Sequence, residues 1–305
     1  MELTASPYEK HPLDLKPDSN LKNFIDVFSN YKDRLIFFLG AGASIGARNT
    51  FGKFFPGAWA LRDEICEWAG FCDPHTLSLE VAAALAEERV GRDPLERCIA
   101  DRFESTLPLW QHAVLPFLYP KALLTTNYDN LIEKGWSASG ISKTLIHTNN
   151  PATINSKHIP LYKPHGTVGE PHREVEDGGL VITQFDYFKL LKRRREWLEA
   201  FMKNFEEHCV IFVGYSFSDT DIASYLFDLR YSRRATNWYA VFPRDNSDLR
   251  EMYRSRYGIR QISRTFHGFL AELDEAKEFI PHPTWKFSQI TQLVDDGKIG
   301  GPAPS

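Results

Sequence analysis

Two five-residue apolar runs, Leu35–Leu39 and Cys209–Val213, stand out in a chain whose other apolar residues are mostly spaced. A run with no polar face reads as a strand covered on both sides, the kind found in parallel sheets. Shorter runs at 121–126, 144–147, 159–162, 180–183 and 237–242 predict further strands. Elsewhere the apolar positions return at helical spacing. Leu21, Phe24, Ile25, Val27 and Phe28 predict a helix over 21–31, and similar spacing predicts helices over 59–71, 77–90, 94–107, 130–134, 186–208, 247–257 and 266–279. Ser218 with Asp221 three residues later has capping-box form and predicts a helix from there to Tyr231. Strands alternating with helices make a Rossmann-like, doubly wound α/β sheet the expected fold. Residues 57–118 show helix signals without a strand, which predicts a helical insertion. The expected organisation is an arm and helix over 1–33, a core over 34–280 and a Gly/Pro-rich tail over 281–305.

Four polar clusters each follow a predicted strand: Gly40-Ala41-Gly42-Ala43-Ser44, Thr126-Asn127-Tyr128-Asp129, Lys163-Pro164-His165-Gly166 and Gly214-Tyr215-Ser216. In doubly wound sheets, ligands sit beyond the carboxyl ends of the strands, so four such clusters can meet in one crevice. Glycines at 40 and 42 let a backbone approach a ligand closely, and a helix start behind them would offer amides to a phosphate. The dehydrogenase fingerprint is not met, because the third glycine falls at Gly46 where Ile45 should be glycine. There is no G-x-x-x-x-G-K-[ST] motif, which excludes a P-loop enzyme. Taken singly, each cluster has a plain structural reading. The glycines suit any strand-to-helix turn, Asn127 or Asp129 suits a helix cap, and His165 before a glycine suits a turn.

Composition narrows the class. With 43% hydrophobic and 25% charged residues, the 305-residue chain is an ordinary globular one. A net charge of -4 gives no general pull towards nucleic acid or an anionic membrane. Residues 1–12 lack the apolar core of a signal peptide, and no apolar run is long enough to span a bilayer; a cytoplasmic protein without a membrane partner is expected. The four cysteines, at 66, 72, 98 and 209, have no C-x-x-C spacing. They read as buried apolar residues and exclude a four-thiolate zinc site, so no metal is expected.

In order and approximate spacing, the four clusters resemble the sirtuin family over residues 34–275. The resemblance implies NAD as substrate and cleavage of its nicotinamide–ribose bond. Gly40, Ala41, Gly42, Ala43 and Ser44 would then hold the pyrophosphate. Thr126 opens the motif in which Asn127 orders the ribose and an attacking water, and Asp129 grips the nicotinamide carboxamide. His165 would be the catalytic base, for which a near-neutral side chain is suited. Gly214 and Ser216 would meet the adenosine side.

The chain also departs from the deacylating members. Their G-I-P-D-F-R run is replaced by residues 46–59, where only Pro56 and Trp59 suggest a related turn, and residues 167–208 contain no cysteine for a zinc module. Pro243 stands where deacylases place an asparagine on the adenosine ribose. These departures are similar to the zinc-less sirtuin-like NAD hydrolases of prokaryotic antiphage systems. That branch implies release of ADP-ribose and nicotinamide to water. It also implies control by a homo-oligomer or by a separate activating protein, which in some systems is nucleic-acid-bound. An NAD-dependent protein deacylase and a non-catalytic NAD or ADP-ribose sensor remain the alternatives. The basic stretches 189–195 and 230–264 are candidate contact surfaces, and a solvated helix face is their simpler reading.

Overall fold

The computed structural model describes residue 14 and residues 16–281, apart from 72, 106, 148–157, 170–178, 190–201, 203–204, 206, 218–219, 233–236 and 244–245. Seven strands form one sheet: β1 (Leu35–Leu39), β2 (Ala122–Thr125), β3 (Leu145–His147), β4 (Ile159–Tyr162), β5 (Cys209–Val213), β6 (Trp238–Val241) and β7 (Ile259–Ile262). Their order is β3-β4-β2-β1-β5-β6-β7, and every pairing is parallel. This is a doubly wound, Rossmann-like sheet.

The apolar runs behave as their composition requires. In β1, Leu35, Phe37 and Leu39 enter one core and Ile36 and Phe38 the other, because successive side chains leave a strand on opposite faces. On the first face lie α1 (Ser19–Val27), α5 (Trp110–Val114), α6 (Leu131–Ser139) and α10 (Phe266–Lys277). The second is covered by α8 (Thr220–Ser232) and by Tyr253 and Tyr257, which follow α9 (Ser247–Met252). The residues just before α1 are tied down by carboxylates: Asp18 accepts from the amides of Leu21 and Ser263, and Asp14 from the amide and hydroxyl of Thr265.

Three further helices, α2 (Ala58–Ala69), α3 (Leu79–Val90) and α4 (Arg92–Phe103), have an apolar core of their own. Leu61, Ile65, Ala83, Ala86, Leu95 and Ile99 fill it, and Val168, Leu180 and Ile182 from the sheet side complete it. α5, by contrast, packs in the sheet core.

Several expectations change. The run 180–183 is buried but joins no strand. Its polar groups are taken elsewhere: Val181 donates to the His165 carbonyl, and Asp186 accepts from the amides of Ile182 and Thr183. β7 is not evident from its sequence, Ile-Arg-Gln-Ile, because Arg260 and Gln261 break the apolar pattern. Gln261 is nonetheless buried at the sheet edge. The helix predicted over 247–257 is α-helical only to Met252 and continues as a π turn to Tyr257. The helix predicted over 186–208 is described as α7 over residues 184–189 and is no longer helical at 207–208; residues 190–201, 203–204 and 206 of that prediction, the Ser218 cap, the basic run after Lys189 and the tail beyond 281 lie outside the described residues. Cys66, Cys98 and Cys209 are free and buried, and burial pushes each thiol up; Cys72 is outside the described residues. Among the described residues, no helix is long and apolar enough to cross a membrane.

Candidate active site

The sheet reverses its direction of growth between β1 and β5, whose strands pair from Leu35–Cys209 to Leu39–Val213. A crevice for a ligand is expected beyond their carboxyl ends. The expected helix start after the glycines is here a four-residue 3-10 turn, Ala41–Ser44, which ends at Ile45. Amides in and before it are engaged: Gly40 donates to Val213, Gly42 to Gly214, and Ala43 to Gly40. A Cβ on Gly40 would stand 2.6 Å from the Tyr215 Cα, and one on Gly42 2.6 Å from the Gly214 Cα. Gly214 has φ +57, a left-handed conformation that glycine adopts without strain. The glycines are therefore required by the contact between two loops, whatever else they hold. Ala41 is exposed at the tip of the turn, Ala43 and Ser44 are buried, and Ser216 is exposed beside Gly214.

A relay of side chains joins this turn to the end of β2. Asn127 donates from Nδ2 to the Gly40 carbonyl at 3.0 Å and to Ser44 Oγ at 3.1 Å. Ser44 Oγ donates in turn to Asp129 Oδ2 at 2.7 Å. The carbonyl partner fixes the orientation of the amide, since only its NH2 can donate. Both Asn127 amide hydrogens are thereby engaged, and Oδ1 is the acceptor it can offer a ribose hydroxyl or a water. Asp129 is buried, and its other oxygen accepts from the Leu131 amide at the start of α6. Capping is thus a role of Asp129, and Asn127 is turned towards the glycine turn. Burial pushes the Asp129 carboxyl up, opposed by nearby Lys163 and the Ser44 hydroxyl. Thr126, half-buried, leads into this motif from β2.

His165 lies three residues beyond β4 and is 5% exposed. Its ring meets that of Tyr187 edge-on, with centroids 5.3 Å apart. Gly166, at φ +81, packs against residue 179, where a Cβ would stand 2.7 Å from the Gly179 carbonyl. Lys163 is buried before it and draws the two loops together. Its ammonium donates to the Asp129 carbonyl, to Thr167 Oγ1 at 2.8 Å and to Glu133 Oε1 at 3.1 Å. Glu133 also pairs with His147 at 3.0 Å. Burial alone would push the Glu133 carboxyl up; Lys163 and His147 outweigh it and hold it at about 2. Tyr128 is locked from behind, its hydroxyl donating to Val181. Lys163 and Tyr128 carry no assigned role in the sequence reading, although a lone lysine between an apolar strand and Pro-His-Gly marks a buried cation. Among the described residues, no group of three or more His, Cys, Asp or Glu side chains is arranged to hold a metal ion.

Three of the four clusters, at 40–44, 127–129 and 163–168, are thus bonded to one another, and the fourth, at Gly214, packs on the first. Residues 121–262, which include all of these except the glycine turn, match the SIR2-like domain. Proteins named NAD(+) hydrolase ThsA are similar to this chain: that of Bacillus cereus (strain MSX-D12) is 27% identical over 164 residues, covering 52% of this chain and 33% of the relative. The one from Acinetobacter baumannii (strain 532279) is 25% identical over 179 residues, covering 57% and 36%. The chain therefore spans about a third of the length of these relatives. Among solved structures, a Sir2 homologue–NAD complex aligns over 85% of this chain and 93% of its own, at 15% identity and a TM-score of 0.49.

Proposed function

We propose that the SIR2-like domain hydrolyses NAD to nicotinamide and ADP-ribose. The observation that carries this reading is the Asn127–Ser44–Asp129 relay, which engages both amide hydrogens of Asn127 and leaves its Oδ1 as an acceptor beyond the carboxyl ends of the strands. The similarity to proteins named NAD(+) hydrolase supports it.

The bond to be broken joins C1′ of the ribose to the ring nitrogen of nicotinamide. Its electron pair leaves with the neutral nicotinamide, and C1′ becomes an oxocarbenium-like cation. A water adds its oxygen to C1′ and gives up one proton, so NAD and water become ADP-ribose, nicotinamide and a proton. Asn127 Oδ1 orients the ribose and the water, a contribution of positioning. His165 takes the proton as general base. Gly40, Ala41, Gly42, Ala43 and Ser44 line the pyrophosphate, with Thr126 next to them, and Gly214 and Ser216 border the adenosine. Asp129, which already accepts from Ser44 and Leu131, meets the nicotinamide amide only by sharing an oxygen with them.

The biological role we assign is that of an antiphage effector which depletes NAD in the cytoplasm of a prokaryotic cell. Such an activity must be held off until needed, by assembly of several copies or by a separate activating protein. The reading fails if purified chain, tested alone and at concentrations that favour assembly, leaves NAD intact. Nicotinamide and ADP-ribose should appear without any acyl-lysine peptide. Products that require the peptide would establish a deacylase instead, and NAD binding without turnover a sensor. His165→Ala and Asn127→Ala should each lower turnover by more than about 100-fold while the thermal midpoint is kept. In cells, the same variants should abolish both phage protection and loss of NAD.

A further inference from the structure

His165 follows β4, and among its neighbours are residues of the segment 179–187. Val181 donates its amide to the His165 carbonyl at 3.0 Å, and the Tyr187 ring abuts the imidazole. The residues next to these two, Leu180 and Asp186, are both held by one side chain from the helical block. Arg92, at the start of α4, donates from Nη2 to the Leu180 carbonyl at 2.5 Å and from Nη1 to Asp186 Oδ2 at 2.8 Å. Nε is occupied by Glu96 at 2.8 Å, and Nη1 also reaches Glu87 at 3.2 Å. Leu180 and Ile182 are buried in the core of α2–α4, together with Val168, and Tyr128 packs against it. Neither sheet core contains these residues.

We propose that Arg92 is a positioning residue for His165, so that the helical block takes part in setting where the imidazole stands. Its planar fork spans two anchor points, a carbonyl and a carboxylate six residues apart, which an ammonium cannot hold in the same geometry. The Asp186 oxygen that receives Arg92 also accepts from Ile182 at 3.1 Å and Thr183 at 2.9 Å. Arg92 therefore fixes the turn that carries both the Val181 amide and the Tyr187 ring. Any ligand or partner that moved α4 would displace His165 by the same linkage.

The proposal rests on the hydrolase reading for its kinetic arm and is independent of it for its spectroscopic arm. Wild type, Arg92→Met, Arg92→Lys and Asp186→Asn are compared in the full chain, with the His165 imidazole resonance assigned by His165→Gln and the His147 resonance as internal reference. Expected is a kcat lower by about 10- to 100-fold in Arg92→Met, with KM little changed, as a displaced catalytic group would give. Arg92→Lys should fall between it and wild type. The His165 resonance should move in all three variants while that of His147 stays in place. If Arg92→Met does not fold, the folded Arg92→Lys and Asp186→Asn chains decide. A His165 resonance unchanged in them, or an effect confined to KM, overturns the proposal. A wild-type chain that leaves NAD intact would sink the hydrolase reading, and the resonances would still decide the role of Arg92.

Discussion

The glycine turn after β1 and the histidine loop after β4 both leave the carboxyl end of a parallel strand, yet they are fixed by different means. The turn is held chiefly by backbone against backbone, with the Asn127 side chain added: Gly40 and Gly42 donate to Val213 and Gly214, and there is no room for a Cβ. The histidine loop depends more on side chains: its own Lys163 reaches the Asp129 carbonyl and α6, and Tyr128 and Arg92 hold residues 180–186, which meet it. A site held by main chain tolerates almost no substitution but depends on few residues. One held by side chains can be tuned, and moved, from outside.

The sharpest way to break this comparison is a methyl group. Gly42→Ala places a Cβ against the Gly214 backbone, where neither side can rotate away, and should cost on the order of 4 kcal/mol. Gly52→Ala is the control, since Gly52 at φ +77 faces open space and should cost only about 1 kcal/mol of backbone strain. Equal losses in urea denaturation would show that the close approach of the two loops is not what requires glycine.

Next in size is Lys163→Met. It leaves Glu133, partly buried, with His147 as its remaining side-chain partner here, and it unties the Asp129 carbonyl from Thr167. A loss of about 2–3 kcal/mol is expected, and adding Glu133→Gln should restore part of it. A variant as stable as its parent would remove Lys163 from the account of how the loop is held.

Acid should act on the same region by two routes. His112, buried beneath α6, is pushed down to about 3 by desolvation and is neutral in the fold. Unfolded histidine binds its proton near 6.5, so the stability this group contributes is fully present above that pH and is lost as pH falls from 6.5 towards 3. Glu133, held at about 2, contributes stability that is present above its ordinary 4.5 and lost as pH falls towards 2. Between pH 6.5 and 4.5 the histidine acts alone of the two, with a slope of up to about 1.4 kcal/mol per pH unit. Denaturation midpoints of His112→Leu should be flatter over that window; an unchanged slope would mean that His112 is protonated in the folded chain.

The smallest effect is expected where the helical block meets solvent. Arg102 pairs with Glu64 at 2.7 Å across α4 and α2, but the carboxylate is half-exposed. Arg102→Ala should cost less than about 1 kcal/mol. A larger loss, measured by the same denaturation series, would mean that the block depends on its surface pairs and not on its apolar core.

The sequence by itself determined the sheet and its polarity. Leu35–Leu39 and Cys209–Val213 are apolar at every position because both faces of a central parallel strand are covered, and no tertiary detail is needed to see it. It also placed Gly40, Asn127, His165 and Gly214 immediately after strands, where such a fold puts its ligands. Edge strand β7 escaped, because an edge position allows Arg260 and Gln261 where a central strand would not. The buried run 180–183 misled for the opposite reason: apolar composition reports burial, whichever partner provides it, and here the partner is the helical block. Only the tertiary structure decided that Asn127 faces Ser44 while Asp129 starts α6, and that Lys163 and Arg92 are bound into the site. Those facts depend on pairs such as Asn127–Gly40, Lys163–Asp129 and Arg92–Asp186, which lie 87, 34 and 94 residues apart in sequence. Local pattern fixes which face of a strand or helix is apolar, but it has no means to specify which distant polar group a buried side chain will meet. That choice is made when the sheet and the helical block close on one another and every buried donor has to find an acceptor.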